Sequence, residues 1–78
     1  MTDTNIYSSS AFIKLVRHKH DLDLMDISRI TGNRISNIKN MLAGREQLGR
    51  DNYFKIIEHI GEDIQCDYMG EYNASKRI

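Results

Sequence analysis

The chain has 78 residues and a mass of 9.1 kDa, enough for one small domain and no second core. Its lone cysteine, Cys66, excludes an intrachain disulfide, and apolar runs of only two or three residues, such as Phe12-Ile13 and Ile56-Ile57, exclude a membrane span and a signal-peptide core. Lys and Arg number 11, Asp and Glu also 11, so zero net charge argues against an indiscriminate nucleic-acid binder.

The predicted elements are helical almost throughout. Residues 1–7 read as a flexible N-terminus. Ser8, Ser9 and Ser10 offer a choice of N-cap for a first helix, in which Phe12, Ile13, Leu15 and Val16 share one side and Lys14, Arg17 and Lys19 the other. Asp21-Leu22-Asp23 interrupts it, and Asp23 caps a second helix over 24–31, where Leu24, Ile27 and Ile30 recur at three-residue spacing. Gly32 stops that helix, because glycine enters the left-handed conformation without a side-chain penalty.

Asn33 is expected to cap a third helix over 34–43. On a helical wheel Ile35, Ile38, Met41 and Leu42 form a core-facing stripe of about 120°. Opposite it stand Ser36, Lys39, Asn40 and Ala43, with Asn37 on the flank. Gly44 ends the helix, 45–49 is a loop, and Arg50 or Asp51 opens a fourth helix to Ile60 with a broad apolar face of Phe54, Ile56, Ile57 and Ile60. Gly61 stops it. Asp63 can cap a last turn carrying Ile64, Tyr68 and Met69, yet Ile64, Cys66 and Tyr68 also alternate as in a strand, and the periodicity leaves both readings open. Tyr53, Tyr68 and Tyr72 are expected against the core or a partner, and 70–78 reads as a C-terminal tail.

The charges are segregated along this frame. Arg29, Arg34, Lys39, Arg45 and Arg50 against Glu46 alone give residues 29–50 a net +4. Lys55 against Asp51, Glu58, Glu62, Asp63, Asp67 and Glu71 gives residues 51–75 a net −5. Such asymmetry suits one face that meets a polyanion, although charge windows of this size also arise by chance. Two short helices joined by a glycine-centred turn describe a helix-turn-helix. The outer face of the second holds no Asp or Glu, where a merely solvated helix commonly mixes in glutamates. It also holds residue types suited to base edges: Arg34 or Lys39 can donate to guanine O6 and N7, and Asn37 or Asn40 can pair bidentately with adenine.

The stretch from Phe12 to Met69 resembles the phage-repressor (Cro-like, or xenobiotic-response-element) helix-turn-helix family. Leu24-Met25-Asp26-Ile27-Ser28-Arg29-Ile30-Thr31-Gly32 is similar to the family's first motif helix and turn, with Ile27 at its buried position and Ser28 at its small-residue position. Asn33 to Gly44 keeps the spacing of the second, with Ile38 and Met41 at the buried positions. Asp51 to Gly61 resembles the fourth helix. The resemblance implies an all-α, lambda-repressor-like bundle of four to five short helices over 8–69. It implies a sequence-specific DNA-binding transcriptional regulator, a repressor of phage or mobile-element type acting as a cytoplasmic homodimer on a double-stranded operator. Arg34, Ser36, Lys39 and Asn40 would face the major groove, with Asn37 beside them. Ile35 would pack at the helix start or touch a thymine methyl. Arg45 would meet phosphate, joined by Arg29 and Asn33. The fourth helix and Ile64–Tyr72 suit a dimer seam.

Leu24 and Met25 stand where the family often has glutamine, and Asp21, Asp23 and Asp26 are close by. These departures suit the alternative of a protein-interaction module on the same fold, such as an antirepressor, an antitoxin-like subunit or an inhibitor of a host defence complex. No cofactor, metal site, membrane attachment or small-molecule substrate is expected, and no enzymatic constellation is evident. His18, His20, His59 and Cys66 are not expected to form a zinc site, since two histidines two apart on a helix diverge; His18 and His20 read as solvated or phosphate-near side chains. Asn73-Ala74-Ser75 matches a glycosylation sequon by chance.

Overall fold

The computed structural model describes residues 6–71, in the order β1 (Tyr7–Ser8), α1 (Ser9–His20), α2 (Leu24–Thr31), α3 (Ile35–Leu42), α4 (Arg50–Ile60) and β2 (Cys66–Asp67). The fold is all-α: four short helices enclose one apolar core, and a pair of two-residue strands is the only sheet among the described residues. Tyr72, the Asn73-Ala74-Ser75 sequon and the first five residues lie outside the described residues.

Each helix starts and stops on a local signal. Ser8 is the N-cap of α1, its hydroxyl accepting from the Ala11 N–H. The helix ends where Asp21 takes the left-handed conformation (φ 54°), which Asp tolerates better than most residues. Asp23 and Asp26 then form a reciprocal capping box at the start of α2: the Asp23 carboxylate accepts from the Asp26 N–H at 2.8 Å, and the Asp26 carboxylate from the Asp23 N–H at 3.1 Å. Gly44 follows α3 at φ 81°. Its N–H donates to the Met41 carbonyl while the Arg45 N–H donates to the Asn40 carbonyl, the Schellman pattern.

Phe12, Ile13 and Val16 from α1, Ile27 from α2, Ile38 and Met41 from α3 and Ile56 from α4 are completely or almost completely buried. They pack α1 on α3, and α2 on both α3 and α4. Leu48 joins them at 1% exposure although it lies in the loop before α4. The buried Ser9 holds that loop: its hydroxyl accepts from the Leu48 N–H at 2.9 Å and donates to Gln47 Oε1 at 3.1 Å.

Four expectations change. The flexible N-terminus expected over 1–7 does not extend to Tyr7, because Tyr7 and Ser8 pair in parallel with Cys66 and Asp67, and the Tyr7 N–H donates to the Gln65 carbonyl at 3.1 Å. Of the segment whose periodicity left helix and strand both open, only Cys66–Asp67 is strand, both residues buried; Ile64 is buried just before it, and Met69 is exposed rather than packed. On α4 the buried aromatic is Tyr53, whose hydroxyl donates to the Ile64 carbonyl at 2.7 Å, while Phe54 is 49% exposed. Asn33 does not cap α3: Arg34 holds the N-cap position, and the helix spans Ile35–Leu42.

Burial, and after it the Asp67 carboxylate, push the Cys66 thiol up to about 12. An unfolded thiol ionises near 8.5. The unfolded chain therefore loses this proton first as pH rises, and the stability of the fold falls with pH over roughly pH 9–12. Urea melts at pH 8, 10 and 11 should show that decline, and Cys66→Ala should flatten it. Tyr53, raised above the ordinary phenol value chiefly by burial, contributes a residual slope. In the folded protein Cys66 should stay inert to thiol reagents at pH 8 and react once urea unfolds the chain.

Candidate nucleic-acid interface

The α2–α3 connection is the three residues Gly32, Asn33 and Arg34. Gly32 makes the turn at φ 75°, and its N–H closes α2 on the Ser28 carbonyl at 2.8 Å. The next residue is held from three sides. The Ser28 hydroxyl donates to the Asn33 carbonyl, and the Asn33 N–H donates to Thr31 Oγ1 at 3.3 Å. Asn33 Nδ2 donates to Asn52 Oδ1 at 2.8 Å, and Asn52 Nδ2 donates to the Leu48 carbonyl, also at 2.8 Å. Thr31 Oγ1 in turn donates to the Ile27 carbonyl at 2.8 Å, and Lys55 Nζ donates to the Thr31 carbonyl at 3.3 Å. The turn is thus tied to α2 and α4 by directional bonds, while Ile38 and Met41 anchor α3 in the core.

This fixes which side of α3 faces outward. Arg34, Ser36, Lys39 and Ala43 are exposed, and Asn37 and Asn40 are half-buried at the edges of the same surface. Ile35 is half-buried at the first helical position, between the core and that surface. Arg45 is exposed beyond the helix end, where its Nη1 donates to Asn40 Oδ1 at 3.4 Å. Arg29 is exposed on α2, with Nη2 3.7 Å from Met25 Sδ. Asn33 differs from the others, because its side-chain amide faces Asn52; it positions α3 rather than presenting a free amide. Asn52 and Ser28 are not legible as members of this site from spacing, since nothing in the sequence links position 33 to position 52.

Ion pairing leaves this surface alone. Among the described residues the ion pairs are Lys19–Glu62 and His20–Glu62, and they hold the Glu62 carboxyl below the usual carboxylate range. Arg29, Arg34, Lys39 and Arg45 make none among the described residues. Of the aspartates near α2, Asp23 and Asp26 have their carboxylates engaged by backbone N–H groups in the capping box. No side chain caps α3, and its first turn holds no acid. The N-cap residue is therefore an arginine, at the positive end of the helix dipole, where an anion is favoured and a cation is not.

The histidines lie apart from this surface: His20 Nε2 is 3.0 Å from Glu62, and His18 and His59 are exposed. No helix among the described residues is long and apolar enough to cross a membrane. Compared with known proteins, the chain matches no family model, no curated protein and no solved structure.

Two stability measurements check this geometry. Arg34→Asp supplies the missing cap and reverses the unfavourable charge, so it should stabilise the fold by about 1 kcal/mol. A thermal melt should read that as a rise of roughly 4–8 °C. Asn52→Ala strips Asn33 of its partner and should cost about 1–3 kcal/mol. Amide exchange should accelerate most over residues 33–38.

Proposed function

We propose that the chain is a sequence-specific DNA-binding regulator whose α2, turn and α3 act as a helix-turn-helix, with α3 entering the major groove. The single observation that carries the reading is the outer surface of α3: acid-free, free of ion pairs among the described residues, and left uncovered by the rest of the described chain. In this reading Arg34 and Lys39 donate to guanine edges or phosphate, and Asn37 and Asn40 meet adenine. Ser36 lies between them, and Ile35 approaches a thymine methyl. Arg45 and Arg29 hold phosphates on either side. Asn33 works indirectly, by fixing the angle at which α3 leaves the turn. Two copies on half-sites about 34 Å apart would double the few contacts one copy makes. Occupation of a promoter would repress sterically, in the manner of a phage or mobile-element repressor.

A protein-interaction module on the same fold is the second reading, and the exposed Phe54 favours it. Fluorescence anisotropy with random-sequence duplex DNA across a salt series separates the two. A regulator should bind nonspecifically with Kd near 10⁻⁴–10⁻⁶ M at about physiological salt, and four or five neutralised phosphates per copy should give a log–log slope of about −4. Arg34→Ala/Lys39→Ala removes two contacts worth about 1–3 kcal/mol each and should weaken specific binding at least tenfold. Absence of binding at low salt, or a double variant indistinguishable from the parent, rejects the regulator.

A further inference from the structure

Three asparagines stand on α3 or in the turn before it, and each amide is engaged differently. Asn33 has its amide nitrogen bonded to Asn52 Oδ1. Asn37 is half-buried, and its amide has no hydrogen-bond partner among the described residues. Asn40, three residues further on, has its amide oxygen taken: Arg45 Nη1 donates to Oδ1 at 3.4 Å. The same two residues are joined through the main chain, where the Arg45 N–H donates to the Asn40 carbonyl at 2.9 Å. The Schellman closure at Gly44 thus brings position 45 back against the last turn of α3.

A side-chain amide tells adenine from guanine only by using both of its ends. Its NH₂ group donates to N7, which both purines carry. Its oxygen accepts from the N6 amino group of adenine, where guanine has the acceptor O6. An amide whose oxygen already accepts from a guanidinium keeps the first contact and loses the second. The oxygen has another lone pair, but a base amino group brought there meets the guanidinium, and both are donors. Arginine carries five N–H donors in a fixed fork, so one can stay on Asn40 while others hold a phosphate. Water excluded from a groove strengthens such a bond relative to free solvent.

We propose that Arg45 is a specificity-determining residue that acts through Asn40: Asn37 selects adenine, whereas Asn40, its oxygen held by Arg45, contacts N7 of either purine. The proposal rests on the regulator reading and divides the two asparagines which that reading sends to adenine. It gives Arg45 a role that a phosphate contact alone lacks, because phosphate contacts carry no sequence information directly.

The test is selection of bound sequences from a random duplex DNA library by the whole chain, followed by sequencing. Asn37→Ala and Asn40→Ala each locate one base position, the one whose preference they erase. The parent should favour adenine over guanine at least about fivefold at the Asn37 position, and accept both within about twofold at the Asn40 position. Arg45→Ala frees the Asn40 oxygen, so adenine should gain at least about fivefold over guanine at that position alone. In Arg45→Ala/Asn40→Ala the gain should vanish. Both Arg45 variants should also flatten the log–log salt slope by about 1, for the lost phosphate. Arg45 is exposed beyond the helix end, and circular dichroism checks that each variant is folded. A flatter slope with unaltered base preferences in Arg45→Ala means a phosphate contact only, which overturns the proposal and leaves the regulator reading standing. A gain of adenine that survives in the double variant overturns it too, as does an Asn40→Ala that erases no preference. A chain that selects no sequence sinks the regulator reading, and this inference with it.

Discussion

The direction in which α3 presents its outer surface depends on the hydrogen bonds that converge on Asn33. Burial of Ile38 and Met41 holds the helix to the bundle, but apolar contact has no preferred direction and tolerates small rotations. Hydrogen bonds weaken steeply with angle and so fix orientation. Ser28 takes the Asn33 carbonyl, Thr31 its N–H and Asn52 its side-chain amide, which ties one residue to α2 and, through Asn52, to the start of α4 and the carbonyl of Leu48. Leu48 is itself fixed by Ser9 at the start of α1. The chain of bonds therefore runs from α1 through the loop to the turn, and the angle of α3 is set by elements far away in sequence.

Stability is distributed unevenly over the two helices that meet at this turn. Both have eight residues, and they differ at their starts. The α2 helix has a complete capping box, with two carboxylates at the positive end of its dipole. The α3 helix has no side-chain cap and an arginine at the N-cap position. Single domains below about 80 residues typically have a net stability of about 3–5 kcal/mol, of which an omission worth about 1 kcal/mol is a large fraction. Nothing in the packing of the bundle calls for arginine at position 34, where the side chain is exposed. A residue that lowers the stability of its own helix, on a surface that holds no acid, is not accounted for by the fold, and an anion at that helix start would offset its cost.

Much of this frame is legible in the sequence because it is decided locally. The Asp23 cap, the stops at Gly32 and Gly61, the Gly44 closure and the buried pair Ile38 and Met41 depend on residues within one or two turns of each other. What escapes is decided at long range. Leu48 reads as a loop residue because no periodic pattern surrounds it, yet it is buried in the core. Tyr7 and Cys66 find each other across nearly the whole chain, and a two-residue strand is too short to announce itself. Phe54 and Tyr53 are adjacent aromatics, and the one that turns inward is held by partners far off in sequence, the Phe12 and Tyr68 rings and the Ile64 carbonyl. Asn33 has the composition of a cap, but the Asn52 amide claims its side chain. In the candidate site the outward residues of α3 follow from the wheel alone, whereas the clasp that aims them does not.

Zero net charge is compatible with a locally cationic surface because the molecule neutralises itself elsewhere. Glu62 closes on Lys19 and His20, joining the end of α1 to the segment after α4, and the Asp23 and Asp26 carboxylates are engaged with α2 backbone N–H groups. Each of these carboxylates is answered where it stands. The cations from Arg29 to Arg45 have no such partner among the described residues. Across water at physiological ionic strength, charges separated by more than about 8 Å are largely screened. An approaching polyanion therefore meets the charge of the nearest surface and not the sum over the chain. At α3 that surface is positive, however many aspartates and glutamates the far side of the molecule carries.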